Sequence, residues 1–182
     1  MNQIQATLDK AIAVLKDPDL KSKEKREELR SQLRKIVYAR FDFAEMARRS
    51  LGRHWRRRTP SERKEFIRIF TDLLERTYIG HIDSYNDDKF VYLKETLDGN
   101  YAEVRTQIST SKGEEFSVNY KTHLVAGEWK IYDVVIENVS MVNNYRSQFK
   151  RVLSKSSYEE LVQRIKNKLS ELVEKDKVKE SL

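Results

Sequence analysis

Asp133 and Glu137 come nearest, by type and spacing, to residues that could do chemistry together. In an extended stretch beginning at Trp129, side chains alternate. Trp129, Ile131 and Asp133 fall on one face and Lys130, Tyr132 and Val134 on the other. Asp133 and Glu137 then share a face and could act as an acid–base pair. No nucleophile or metal-ligand set accompanies them, which favours a solvated or edge-paired role. His54, His81 and His123 are scattered, and none has a second ligand at metal spacing. They read as surface or capping residues. There is no glycine-rich phosphate loop, no Gly-x-Ser-x-Gly elbow and no His-Glu-x-x-His. With no cysteine in the chain, disulfides and thiol chemistry are excluded. An enzyme has little support, and no catalytic residue and no metal site is assigned.

The second candidate is Arg53-His54-Trp55-Arg56-Arg57-Arg58, a basic run around one large aromatic, in a chain of net charge +7. Such a run can bind phosphates and stack a base. It can equally meet anionic headgroups or an acidic protein surface. A solvated segment between helices, with Trp55 buried as its anchor, accounts for it more simply, because no nucleic-acid motif accompanies the charge.

Helical spacing positions these residues over most of the chain. Ile4, Leu8, Ala11, Ile12 and Leu15 predict a helix over 3–16, stopped by Asp17-Pro18-Asp19. Ser22 can cap a second helix running to about Tyr38. FDFAEMARRSLG (41–52) gives a short helix with capping-box spacing at Asp42 and Glu45 and a glycine stop at Gly52. Thr59-Pro60-Ser61-Glu62 is a strong helix start, with a broad apolar face from Phe66 to Tyr85 and an end near Ser84. The period then becomes two. Strands are predicted over about 89–97, 101–110, 114–125 and 128–137, joined by Asp98-Gly99-Asn100, Lys112-Gly113 and Ala126-Gly127, as in an antiparallel meander. Val142, Tyr145 and Phe149 mark a helix over 141–154 with Ser140 as a plausible cap. Ser157 and Glu160 open a last helix, after which a charged tail from about 175 frays.

The whole reads as a single α+β domain over 1–182, with a one-sided apolar sheet and apolar helix faces that must cover each other. Periodicity leaves open whether they meet as a filled core or around a cavity, and close packing favours the filled core. No run approaches the length of a membrane span. Met1-Asn2-Gln3-Ile4-Gln5 has no apolar leader, and a mature exported chain would read the same.

Three segments, in order, carry a resemblance: FDFAEMARRSLGRHW, TPSERKEFIRIFTDLLERTY and WKIYDVVIENVSMVNNYRSQF. Together they resemble the MlaC-type phospholipid-binding proteins, or toluene-tolerance auxiliary family, over about 1–173. Asn138 stands where family members often have glycine, a mild departure because asparagine tolerates a left-handed backbone. The resemblance implies a helical layer on a twisted four-stranded antiparallel sheet, enclosing a hydrophobic cavity for acyl chains. It implies a periplasmic, monomeric, non-enzymatic carrier. Phospholipid would be its cargo rather than a cofactor, and no nucleotide, metal or nucleic acid would be bound. It also implies shuttling between an inner-membrane ABC transporter complex and an outer-membrane lipoprotein complex.

Under that reading the tail contacts are expected at Phe43, Met46, Phe70, Leu74, Tyr78 and Ile82 from the helices and at Val104, Ile108, Val118, Tyr120, Ile131 and Val135 from the sheet. Val142, Tyr145 and Phe149 would close one wall. Taken singly, each is more often a core residue than a ligand contact. Arg146 would hold an internal carboxylate rather than a headgroup. The alternatives are a basic interaction module binding nucleic acid or an acidic protein around a filled core, and a small hydrolase on a cone-like α+β fold.

Overall fold

A computed structural model describes residues 2–20, 22–78 and 88–180. Its elements are α1 (Asn2–Lys16), short 3-10 turns at Pro18–Leu20 and Lys23–Lys25, α2 (Arg26–Arg40), α3 (Phe43–Leu51), a 3-10 segment at Gly52–Arg57 and α4 (Pro60–Tyr78). Then follow β1 (Lys89–Asp98), β2 (Tyr101–Ser109), β3 (Glu115–Val125), β4 (Glu128–Ile136), β5 (Val139–Ser140), α5 (Met141–Leu153) and α6 (Tyr158–Glu180). The fold is α+β, as the pattern predicts. Contacts divide the chain into two compact units. One takes Met1–Asp42 and Ser84–Met141, the other Phe43–Asp83 and Val142–Leu182.

The first unit is built on an antiparallel sheet in the order β1-β2-β3-β4-β5. The expectation was four strands. The fifth is a two-residue return after a tight turn at Glu137-Asn138, where φ is 47° and 64°. Two left-handed residues in a two-residue hairpin match the twist of the strands. Asn138 thus does what a glycine would do there, and Glu137 is turn rather than strand. Ala126 (φ 49°) and Gly127 (φ 82°) close the β3–β4 hairpin the same way.

Register places Val104 between Glu95 of β1 and Tyr120 of β3, with Tyr120 opposite Val134 of β4. Ile4 of α1 packs with Val104, Ile108, Val118, Tyr120, Ile131 and Val134 into one apolar cluster. Two threonines share that face at 0 % exposure, and their hydroxyls are satisfied. Thr106 donates to the Val118 carbonyl at 2.6 Å and Thr122 to the Ala102 carbonyl at 3.1 Å. Arg40 ties α2 to the sheet edge, donating to the Trp129 carbonyl at 2.9 Å and to Thr7 Oγ1 at 3.0 Å.

One expectation about β4 is corrected. The ladder pairs Thr122 with Ile131 but Lys121 with Asp133, so Tyr132 is an extra residue in a β-bulge. The bulge reverses the alternation. Trp129 and Ile131 face the core, and beyond the bulge Val134 faces it while Asp133 and Val135 turn to the other side. Asp133 therefore does not share a face with Ile131, and the supposed Asp133–Glu137 pair dissolves into two separate roles. Asp133 accepts a hydrogen bond from the Ser140 hydroxyl at 2.6 Å, and the Glu137 carboxylate accepts one from the Ser117 backbone N–H.

The second unit is helical. The Thr59 capping box forms in full: Thr59 N–H donates to Glu62 Oε2 at 2.7 Å and Glu62 N–H to Thr59 Oγ1 at 3.2 Å. Gly52 (φ 55°) ends α3 in the left-handed conformation a helix stop needs. The core is a layer of rings. Phe70 meets Tyr145 edge-on at 5.2 Å, and Phe66 and Phe149 both lie 5.8 Å from it. α6 docks through Tyr158, Leu161, Val162 and Ile165 and runs past the end expected near 174, with Asp176 within 3.5 Å of Arg76 on α4. In contrast, α2 begins four residues after the expected Ser22 cap, because a 3-10 turn intervenes.

Candidate functional site

Each unit presents one apolar surface on which the candidate residues can be placed. In the first unit the surface is the core face of the sheet. Val104 and Ile131 are 0 % exposed there, and Val118, Tyr120 and Ile108 are almost as deeply buried. Burial pushes the Tyr120 phenol up to about 12, so it stays neutral and polar only at its hydroxyl. None of these five side chains carries a charge. Val135 is buried too, but the bulge turns it to the face of Asp133 and Lys121, away from the other sheet candidates.

In the second unit Met46, Phe70, Leu74, Val142, Tyr145 and Phe149 are buried, Phe43 is half-buried and Tyr78 is exposed. Ile82 lies outside the described residues, as does His81. Tyr145 and Phe149 line a groove of about 340 Å³ shared with Leu73 and Thr77 of α4 and Ile165 of α6. Burial, then the neighbouring Tyr78 hydroxyl, raise the Tyr145 phenol well above its ordinary range. The groove also has Arg164 and Lys168 in its lining. An apolar groove with cations in its lining suits an amphiphile better than a polar metabolite.

Polar chemistry is sparse. His123 Nε2 lies 3.0 Å from Asp42 Oδ2, stacks on Tyr101 and meets Tyr132 edge-on at 5.4 Å. Sequence reading missed this pair. The two residues are 81 positions apart, and the bridge between Phe41 and Ile131, with the Asp42 N–H donating to the Ile131 carbonyl at 2.8 Å, brings them together. A histidine held by a carboxylate is half of a hydrolytic relay, but no hydroxyl nucleophile completes it among the described residues. Nor, among those residues, is there a group of three or more potential metal ligands. No described helix is long and apolar enough to cross a membrane.

The basic run divides in two. Arg58 is structural: its guanidinium lies 4.4 Å over the Tyr158 ring and pairs with Glu62 at 3.2 Å. Trp55 is half-buried, not buried as expected, with Arg63 5.3 Å over its ring. Arg53, Arg56 and Arg57 remain exposed. Just before them, Glu45 is the acidic centre of α3. Burial alone would raise its carboxyl, but hydrogen bonds and charge from Arg48 and Arg49 overcome this and hold it below the usual range. A depressed carboxyl adds stability above its unfolded-state pKa and loses it as pH falls through the folded value. Glu45→Gln is therefore expected to cost about 1 kcal/mol or less at pH 7, given the exposure of its partners. The gap to the unsubstituted protein should narrow as pH falls below the usual carboxylate range and close once it has passed the lowered folded value, as a series of urea unfolding curves from pH 7 downward would show.

The comparisons with known proteins agree with one another. The family model described as "MlaC protein" matches residues 5–167. The chain is 24% identical to the intermembrane phospholipid transport system binding protein MlaC of Haemophilus influenzae, over 92% of this chain and 81% of that one. It is 26% identical to the toluene tolerance protein ttg2D of Pseudomonas putida, over 52% of this chain and 44% of that one. Among solved structures it is similar to a phospholipid-binding protein from Ralstonia solanacearum in complex with a phospholipid. There the TM-score is 0.82 at 26% identity, over 94% of this chain and 97% of that one. The family match spans most of the chain and takes in all three segments that carried the resemblance, so this protein belongs to the MlaC family.

Proposed function

We propose that this protein is a non-enzymatic carrier that holds a phospholipid by its acyl chains. The observation that supports this most is its likeness, over nearly its whole length, to a protein solved with a phospholipid bound. In the first unit the proposed tail contacts are Val104, Ile108, Val118, Tyr120 and Ile131, with Val135 able to meet a tail only on the opposite face. In the second unit they are Phe43, Met46, Phe70, Leu74, Tyr78, Val142, Tyr145 and Phe149; Ile82 belongs to the same proposal. The carrier works in the periplasm as a monomer, between an inner-membrane ABC transporter complex and an outer-membrane lipoprotein complex, and needs no cofactor.

The physical requirement is steep. Two acyl chains with about 30 carbons between them represent ~24 kcal/mol of burial, at ~0.8 kcal/mol per methylene. A lipid leaves a membrane at useful rates only if the carrier replaces most of that burial. The phosphate stays in water, because desolvating it costs heavily. A carrier that grips tails should discriminate weakly among headgroups. Delipidated protein offered vesicles of mixed phosphatidylethanolamine, phosphatidylglycerol and phosphatidylcholine should load them within a few-fold of their abundance. Selection of one headgroup by orders of magnitude would contradict a tail-held cargo.

A further inference from the structure

Four arginines of the helical unit gather without an acid to answer them. Arg53, Arg56 and Arg57 come from the 3-10 segment Gly52–Arg57, all exposed. At three residues per turn Arg53 and Arg56 eclipse one another, with Arg57 next to them. Arg146 arrives from α5. Its Nε lies 3.0 Å and its Nη2 3.3 Å from where a Cβ on Gly52 would stand. The bare glycine is what lets that guanidinium settle beside the segment.

Most other arginines of this unit are engaged: Arg48 and Arg49 by Glu45, Arg58 by Glu62, Arg68 by Asp72, Arg76 by Asp176 and Arg164 by Glu160, while Arg151 on α5 is exposed and has no ion pair among the described residues. Among the described residues, Arg53, Arg56, Arg57 and Arg146 have no ion pair, which corrects the expectation that Arg146 holds an internal carboxylate. The segment is braced from beneath, since Arg63 donates to the Trp55 carbonyl at 3.3 Å and the Arg58 N–H to the same carbonyl at 3.1 Å. The local field registers on His54, which is held below its ordinary value first by burial and then by the charges of Arg53, Arg57 and Arg58.

We propose that this arginine cluster docks the protein on an anionic phospholipid surface, its guanidinium forks meeting lipid phosphates. Planar forks match phosphate oxygens in pairs of hydrogen bonds. A bilayer fits better than an acidic protein. Protein interfaces are built around a desolvated aromatic or apolar centre, and here the one aromatic, Trp55, is half-buried under Arg63. A leaflet supplies dense phosphate and requires no complementary shape. This contact is separate from cargo binding and stands or falls without it.

The test is sedimentation of the full chain with vesicles of phosphatidylcholine alone and of phosphatidylcholine mixed with phosphatidylglycerol, at low and high salt. Binding is expected to the mixed vesicles only and to weaken with salt. Each basic residue near an anionic leaflet strengthens association about fivefold. The triple variant Arg53→Gln/Arg56→Gln/Arg57→Gln should therefore bind on the order of a hundredfold more weakly, and Arg146→Gln alone about fivefold. The control Lys10→Gln/Lys35→Gln/Lys112→Gln removes the same charge from exposed sites elsewhere and should change binding far less. Single reversals, Arg53→Glu and Arg57→Glu, serve if the triple variant does not fold. The proposal is overturned if the protein ignores anionic vesicles, if the lysine control loses as much as the arginine triple, or if soluble polyglutamate is bound in preference to the vesicles. Lipid content measured separately on the same samples keeps this outcome distinct from that of the cargo reading.

Discussion

Replacing Phe70 with alanine is expected to destabilise the protein by about 3–5 kcal/mol. Phe70 is 0 % exposed and sits where the rings of α4 and α5 converge, touching Phe66, Tyr145 and Phe149. Truncation removes the transfer energy of the ring and three aromatic contacts, each worth about 0.5–1.5 kcal/mol beyond its area. The surrounding rings are held by their own helices and can collapse only partly into the void. Phe70→Leu keeps most of the volume and should cost less than half as much. Urea unfolding followed by circular dichroism gives both values. A loss below about 1 kcal/mol for the alanine variant would mean that this layer is loosely packed.

A larger effect is expected in the sheet. Val104→Asp should cost more than about 4 kcal/mol at pH 7, enough to abolish cooperative folding of a marginal domain. Val104 is 0 % exposed, and its cross-strand neighbours are Tyr120 and Glu95. An aspartate there meets a phenol on one side and a like charge on the other. Nearby Thr106 and Thr122 already donate their hydroxyl protons to backbone carbonyls. The new carboxyl would have a folded-state pKa raised above its unfolded value. The penalty should therefore shrink as pH falls through that raised value, and folding should recover partly in acid. Val104→Thr keeps the shape and should cost about 1–2 kcal/mol, leaving a folded protein with a weaker hold on lipid tails. A folded, fully stable Val104→Asp at pH 7 would show that this face is wet.

What the sequence made legible was local. Thr59-Pro60-Ser61-Glu62 fixed the start of α4 because a capping box needs only four consecutive residues. Gly99-Asn100 and Ala126-Gly127 fixed hairpins because a two-residue turn demands left-handed backbone at known places. The α+β class followed from the change of period. What stayed hidden depended on neighbours far away in the chain. The bulge at Tyr132 leaves no mark on a pattern in which residues 131–136 are mostly apolar or aromatic, yet it decides the face of Asp133, Val134 and Val135. The Asp42–His123 pair depends on a bridge between residues 41 and 131. The seat of Arg146 on Gly52 looked, in sequence, like no more than a helix stop followed by a family motif. The candidate tail contacts were legible as apolar positions; which of them lie on one face was not.

The most direct test of the carrier account is native mass spectrometry of the freshly purified protein, followed by organic extraction and identification of what is released. The account predicts phospholipid-sized adducts, one or two per chain, with a mixture of headgroups. A protein that carries no lipid, and takes up none from vesicles after purification, would contradict it.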